Sequence, residues 1–326
     1  MSKTGRLLAY QAAAHHIAQI DTTIVNHSKL RAAHEGLDEC IAWSEANREP
    51  AGAVLVGEGG MGKTTICNAI LRRYPPSIKK TASVEVSIVP AFYASVPSPS
   101  SIKSLAAELL KRLGAPRPGA GTASSLTERL IVLLKIAETK IILLDEFQHL
   151  LADSKVGDAR SNNVCDWIKT LINNTGVTIC LVGTPACEAL VNSDLQLAGR
   201  FARRFRLYPL NIGTSEERGE LERFLIAIVE KFKERLGFLT TLDFSDHSNS
   251  VRVWAATSGN PRFVMRLLKE AAVLAWAAGR KNLTIGDLAE AYAKGITQSA
   301  SKFNGNPFVV TYEALSNALR DSKLKM

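Results

Sequence analysis

The sequence is short of the features that build disulfide-bonded, metal-bound or membrane-embedded proteins. Its five cysteines (Cys40, Cys67, Cys165, Cys180 and Cys187) are scattered, with no C-x-x-C pair and no histidine cluster beside them. Zinc sites and disulfide frameworks need ligand spacings that do not occur here, so these residues read as reduced, mostly buried thiols. His15-His16 stands without further ligands and reads as a surface pair. No apolar run approaches the roughly 18 residues of a membrane-spanning helix; Ala271 to Ala278 is the nearest and far too short. The opening residues, Met1 to Arg6, lack an apolar core and a cleavage site, so a secretion signal is not expected and a cytoplasmic location is. Like charges never accumulate into blocks of five or six, which excludes a disordered basic arm. There is no internal repeat and no low-complexity segment.

What remains is an ordinary globular composition, 46% hydrophobic and 22% charged, with an excess of basic groups. A chain of 326 residues accommodates one large α/β domain and a smaller one. The formal charge of +9 favours a polyanionic partner and carries no sequence specificity. A solvated, lysine-rich surface is the alternative.

The most informative stretch is Gly57-Glu58-Gly59-Gly60-Met61-Gly62-Lys63-Thr64, a complete G-x-x-x-x-G-K-[ST] phosphate loop (Walker A). It follows the apolar run Ala53–Val56 and precedes a helical pattern from Thr64 to Arg73, the strand–loop–helix setting such a loop needs. Glycines let backbone N–H groups wrap phosphates, the helix start adds partial positive charge, and Lys63 adds a full one. Thr64, followed by Thr65, offers a hydroxyl to Mg²⁺. The pattern implies nucleoside triphosphate binding.

A second motif completes the site. Lys140-Ile-Ile-Leu-Leu-Asp145-Glu146-Phe-Gln-His149 is an apolar run ending in two adjacent carboxylates. Unbroken apolarity predicts a strand buried on both faces of a parallel sheet. Asp145 at its end is placed to hold Mg²⁺, and Glu146 to orient or deprotonate an attacking water. Hydrolysis, beyond binding, is the expectation.

Strands are predicted at Ala53–Val56, Val84–Pro90, Ile141–Leu144, Thr178–Val182 and Phe205–Leu210. Helices lie between them at Ile102–Leu113, Leu126–Glu138 and Val164–Asn173, with serines before Ile102 as caps. Alternation of this kind predicts a mostly parallel sheet covered by helices, with ligands beyond the strands' carboxyl ends. From about Gly213 the β pattern stops, and Glu216–Leu236, Ser248–Ser258, Pro261–Ala278 and Thr284–Lys294 read as helices. The domain expectation is therefore an arm (1–35), an α/β ATP-binding core (36–212), an all-helical lid domain (213–298) and a tail (299–326) with a short helix, Tyr312–Arg320.

The phosphate loop, the later Asp-Glu and the helical C-terminal domain together resemble the AAA+ ATPases. Val56 to Thr65, Leu143-Leu-Asp-Glu-Phe-Gln-His-Leu150, Leu181-Val-Gly-Thr-Pro-Ala186 and Gly199-Arg-Phe-Ala-Arg-Arg-Phe205 narrow the likeness. They resemble the TniB/TnsC transposition regulators, more distantly related to the phage protein MuB, over roughly residues 28 to 295. The resemblance implies that Thr184 acts as a polar sensor of the γ-phosphate or its water. It also implies an arginine finger, reaching a neighbouring subunit's nucleotide, among Arg200, Arg203 and Arg204. Arg262 in Ser258-Gly-Asn-Pro-Arg262 resembles the second sensor of the lid.

Such regulators bind ATP with Mg²⁺, assemble as rings or helical filaments on double-stranded DNA and mark a target for a transposase. Hydrolysis then controls disassembly. A target-selection protein or a guide-RNA complex is the further partner implied, and a membrane is not. No helix-turn-helix signature is present, so DNA binding is expected to be largely sequence-independent. Lys79, Lys80, Lys103, Lys111 and Arg112 are candidate contacts. Two other readings stay open: an AAA+ ATPase acting on a protein, of secretion type, and a nucleotide-gated scaffold that hydrolyses weakly.

Overall fold

The computed structural model describes residues 3–22, 28–47, 50–80, 84–151, 159–214 and 216–321. They form two units, one spanning Ser28–Leu207 and the other combining the N-terminal residues up to His27 with everything from Tyr208 onward.

The first unit is built on a five-stranded sheet of β1 (Ala53–Gly57), β4 (Ala91–Ser95), β5 (Ile141–Asp145), β6 (Thr178–Gly183) and β7 (Arg203–Leu207). Their order is β4-β5-β6-β1-β7 and every pairing is parallel. All residues of β1, β5 and β6 are buried, as their unbroken apolar runs require. One face packs Val54, Val56, Ile142, Leu144, Ile179 and Leu181 against α4 (Ile102–Arg112), α5 (Ala123–Ile136) and α6 (Ala159–Thr175). The strands also contact α2 (Ser28–Ala46) and α3 (Lys63–Arg73). Helix starts follow local chemistry. Ser101 with Ser104, and Thr122 with Ser125, form reciprocal capping boxes for α4 and α5.

The sheet departs from the sequence expectation at one strand. Val84–Pro90 is not a core strand. Residues Glu85–Ile88 (β3) pair antiparallel with β2 (Ser77–Lys80) as a separate two-stranded ribbon, and the sheet strand is Ala91–Ser95. Pro90 supplies no N–H, so it ends one strand, while its carbonyl accepts from Lys140 and Ile141 N–H at 2.8 and 3.1 Å. The next parallel ladder starts after it. The last strand likewise lies at Arg203–Leu207 rather than Phe205–Leu210, and two short helices, α7 (Ala186–Asn192) and α8 (Leu195–Arg200), precede it.

The second unit is helical, with α9 (Glu220–Leu236), α10 (His247–Thr257), α11 (Pro261–Ala277) and α12 (Ile285–Ala293) close to their expected bounds. Asn260 caps α11 through its side chain, and Pro261 occupies the first turn where its missing N–H costs nothing. Its core takes in both ends of the chain. Ala13 and Ile17 of α1 (Lys3–Ile17), together with Ile20, are buried in it, and so are Phe308 and, from α13 (Tyr312–Asp321), Leu315 and Leu319. The stretch read as an arm is thus docked. Tyr10 donates to the Glu270 carboxylate at 2.8 and 2.9 Å, and Lys294 pairs with Glu270 at 2.6 Å. Burial, with Glu270 alongside, pushes the Tyr10 phenol up to about 12. His16 is no surface residue either: it donates to the Leu236 carbonyl at 2.9 Å and stacks on Trp276 at 4.2 Å.

All five cysteines are free and buried, and burial pushes each thiol up, Cys67 to about 12. Among the described residues no helix is long and apolar enough to cross a membrane.

Candidate active site

The carboxyl ends of three central strands meet at one edge of the sheet. Val56 of β1 is level with Gly183 of β6, and Leu144 of β5 with Leu181, so the phosphate loop, Asp145–Glu146 and Thr184 all leave the sheet there. β6 lies between β1 and β5. The two carboxylates are therefore one strand removed from the loop, which leaves room for a phosphate chain and an attacking water between them.

The loop is shaped for an anion. Gly62 adopts φ 97°, in the left-handed region that a side chain makes costly, and it starts α3. Among the described residues no side chain caps that helix start, whose N–H groups and dipole carry partial positive charge. Lys63 folds back over the loop, its Nζ donating to the Gly57 carbonyl at 2.5 Å and the Glu58 carbonyl at 3.1 Å. Its ammonium thus sits over the turn that the phosphates would line. Met61 is buried and pins the loop, while Glu58 and Gly59 are exposed and Gly60 is partly so. Thr64 and Thr65 occupy the first turn of α3.

Asp145 is buried at 6% exposure, and both its oxygens have donors. Oδ1 accepts from the Glu146 N–H at 2.8 Å, and Oδ2 accepts from the Tyr93 hydroxyl of β4. Burial and this contact with Asp145 push the Tyr93 phenol above its ordinary range, so it stays a donor. A carboxylate held at both oxygens still has free lone pairs and a fixed direction, as a metal-binding group needs. Glu146 follows in a left-handed backbone conformation, φ 56°. That is an unusual place for a side chain, of the kind that collects at functional sites. Gln148 donates to Glu146 Oε2 and accepts from the Thr184 N–H at 3.2 Å. Neither Tyr93 nor Gln148 was assigned a role from sequence. Gln148 lies inside the Asp-Glu-Phe-Gln-His motif; Tyr93 lies on the strand that the sequence pattern did not show.

The three candidate arginines lie at the other edge. The Arg200 carbonyl accepts from the Gly52 N–H at 2.8 Å, and Arg203 is level with Ala53, both where β1 begins. About 16 Å of extended chain separates Gly52 from the loop's Gly57. Arg203 is paired with Glu39 at 2.5 Å. Arg204 is half-buried, with Nη1 lacking a hydrogen-bond partner among the described residues and the guanidinium pushed down by desolvation. Arg200 closes α8 and has no ion-pair partner among the described residues. Arg262 belongs to the helical unit, exposed in the first turn of α11, its N–H donating to Asn260 at 3.0 Å.

The order of strands, the loop and the paired carboxylates define a P-loop ATPase fold of the AAA+ class, here with a C-terminal helical unit. The sequence profile of the TniB family, "Bacterial TniB protein", matches residues 15–209, and the chain belongs to that family as a TniB-like AAA+ ATPase. No curated protein matches the sequence significantly. Among solved structures, the ORC2 protein of Aeropyrum pernix in its ADPNP–ADP complexes aligns over 85% of this chain and 71% of its own, with 15% identity and a TM-score of 0.59. Cdc6p of Pyrobaculum aerophilum aligns over 87% and 70%, with 16% identity and a TM-score of 0.59. The ORC1 protein of Aeropyrum pernix in complex with DNA aligns over 92% and 84%, with 17% identity and a TM-score of 0.55. At these identities the likeness is one of fold.

Proposed function

We propose that this protein is an ATP- and Mg²⁺-dependent, largely sequence-independent double-stranded DNA-binding regulator. It oligomerises on target DNA, recruits and activates a transposase, and hydrolyses ATP to control its own disassembly. The observation that carries the reading is a complete phosphate loop facing Asp145 and Glu146 in a chain of the TniB family. The nucleotide-bound ORC2 structure and the DNA-bound ORC1 structure share the fold and support the same two ligands.

In this reading Gly57 to Thr65 hold the phosphates and Lys63 neutralises their charge. Thr64 and Asp145 supply hard oxygen donors to Mg²⁺. Glu146 orients the attacking water, Thr184 senses the γ-phosphate, and Arg200 reaches the nucleotide of the next subunit. Arg262 serves as the lid's sensor. The location is cytoplasmic, and a target-selection protein or guide-RNA complex supplies the address.

Binding to random-sequence duplex DNA, measured with and without ATP over a range of salt, tests the proposal. We expect ATP-dependent binding whose affinity falls steeply with salt as phosphate contacts release counterions. Binding indifferent to ATP, or none at any salt, rejects it in favour of an ATPase acting on protein. Lys79 and Lys80, adjacent on the fully exposed β2, pair with Glu138 and Glu85 in exposed ion pairs at 2.6 and 2.7 Å. Such pairs are weak and yield readily to phosphate. The double variant Lys79→Ala/Lys80→Ala is expected to flatten the log–log salt slope by about two. An unchanged slope moves the DNA path to Lys103, Lys111 and Arg112.

Glu146→Gln keeps shape and the Asp145 site but loses the base. Turnover should fall about 10²- to 10⁴-fold while ATP still binds, and assemblies on DNA should outlast those of the wild type. A wild-type rate in this variant removes Glu146 from the chemistry.

A further inference from the structure

The water-orienting carboxylate needs a tether that the strand does not provide. Glu146 lies just past β5 in a left-handed conformation, and its side chain is 47% exposed. His149 Nε2 is 4.0 Å from it, too far to hydrogen-bond. The Gln148 amide alone among the described side chains donates to it, and that amide is bonded at both ends. Chemistry fixes which end is which. A carboxylate only accepts, so the NH₂ faces Glu146; a backbone N–H only donates, so the carbonyl faces Thr184. Both partners demand the same orientation.

Given the ATPase reading above, we propose that Gln148 is the positioning residue for the Glu146 carboxylate and ties its direction to the end of β6 at Thr184. The amide occupies Oε2 and leaves Oε1 to accept from a water. Being neutral, it fixes the carboxylate without the basicity loss that a cation in its place would cause. Its other end rests on the first peptide after β6, so a displacement of Thr184 on contact with a phosphate reaches Glu146 through one rigid group. Gly183 makes the path possible. A Cβ there would meet Gln148 Oε1 at 2.3 Å and Cys187 Sγ at 2.4 Å. Position 183 has to be glycine for the amide to lie where it does.

The discriminating variant is Gln148→Glu. It keeps the length and still accepts from the Thr184 N–H, so a role confined to bracing β6 survives. An ionised Glu cannot donate to Glu146 and repels it. Steady-state hydrolysis should show kcat down by about 10- to 100-fold, the scale of a small misplacement of a reacting group, with KM for ATP little changed. Gln148→Met, which keeps shape without either hydrogen bond, should do the same, and Gly183→Ala, which displaces the amide, should follow in the same direction. Each variant is also combined with Glu146→Gln. Because Gln148 acts through Glu146, the second substitution should then remove little further rate.

Gln148→Glu turning over at the wild-type rate overturns the inference. So does an equal loss in the Glu146→Gln background, which makes Gln148 independent of Glu146. So does a loss appearing only in KM. A wild-type protein with no ATPase activity instead sinks the underlying reading, and the two failures are told apart by that single control.

Discussion

Lys63→Ala is expected to lose ATP binding and, with it, assembly on DNA. The ammonium is the one full positive charge that the loop itself contributes, and in the structure it bridges the Gly57 and Glu58 carbonyls over the turn. Removing one partner of a desolvated, hydrogen-bonded charge pair costs about 2–5 kcal/mol or more. That corresponds to a loss of roughly 30-fold to several thousandfold in affinity. Titration with a fluorescent ATP analogue reads it directly. The fold should stand, because among the described residues Lys63 Nζ bonds only backbone carbonyls and leaves no buried charge unpaired when it is truncated. A melting temperature within a few degrees of wild type checks that point. Filaments or rings formed normally by this variant with ATP would dismiss nucleotide as the switch.

The half of the site that was legible in the sequence is the half written in contiguous residues. The phosphate loop and Ile141–Asp145 each combine an unbroken apolar strand with chemistry at its end, and both lie where expected. The rest depends on contacts between distant segments. Gln148 meets Thr184 across 36 residues, and Tyr93 meets Asp145 across 52. Nothing local to either glutamine or tyrosine reports such a meeting.

Two larger misreadings have physical causes of their own. Val84–Pro90 is richer in β-branched residues than Ala91–Ser95, so propensity favours the wrong segment for the sheet. Pro90 decides the matter by ending the first ladder, and packing under α3 and α4 selects the second. The N-terminal helix is Ala-rich and has little amphipathic contrast of its own. Its Ala13 and Ile17 find their core in the helical unit, where α1 packs on α11, some two hundred and fifty residues further along. A pattern read within one segment cannot show that.

The position of the arginines gives the second large expectation. The Arg200 carbonyl accepts from Gly52 where β1 begins, at the end of the sheet opposite the phosphate loop, and we expect its guanidinium to serve a neighbouring subunit's nucleotide rather than its own. Arg203 is paired with Glu39 in an exposed ion pair, and Arg204 is drawn inward and desolvated. Arg200 instead lines an open groove of about 1030 Å³ with Trp43 and Leu195, which are 55% and 89% exposed. Exposed apolar groups beside an uncommitted guanidinium suit a face that meets another subunit. Arg200→Ala should therefore leave ATP affinity of the isolated chain nearly intact and lower hydrolysis steeply, since arginines supplied in trans contribute about 10³–10⁵ in rate. Mixing it with Lys63→Ala is the decisive measurement. The first variant keeps its pocket and lacks the arginine; the second keeps the arginine and lacks a working pocket. Mixed interfaces then pair an intact pocket with an intact arginine, and ATPase activity should reappear that neither variant shows alone. No recovery on mixing, together with lost ATP binding by Arg200→Ala itself, would make Arg200 a structural residue of its own subunit and pass the role to Arg203 or Arg204.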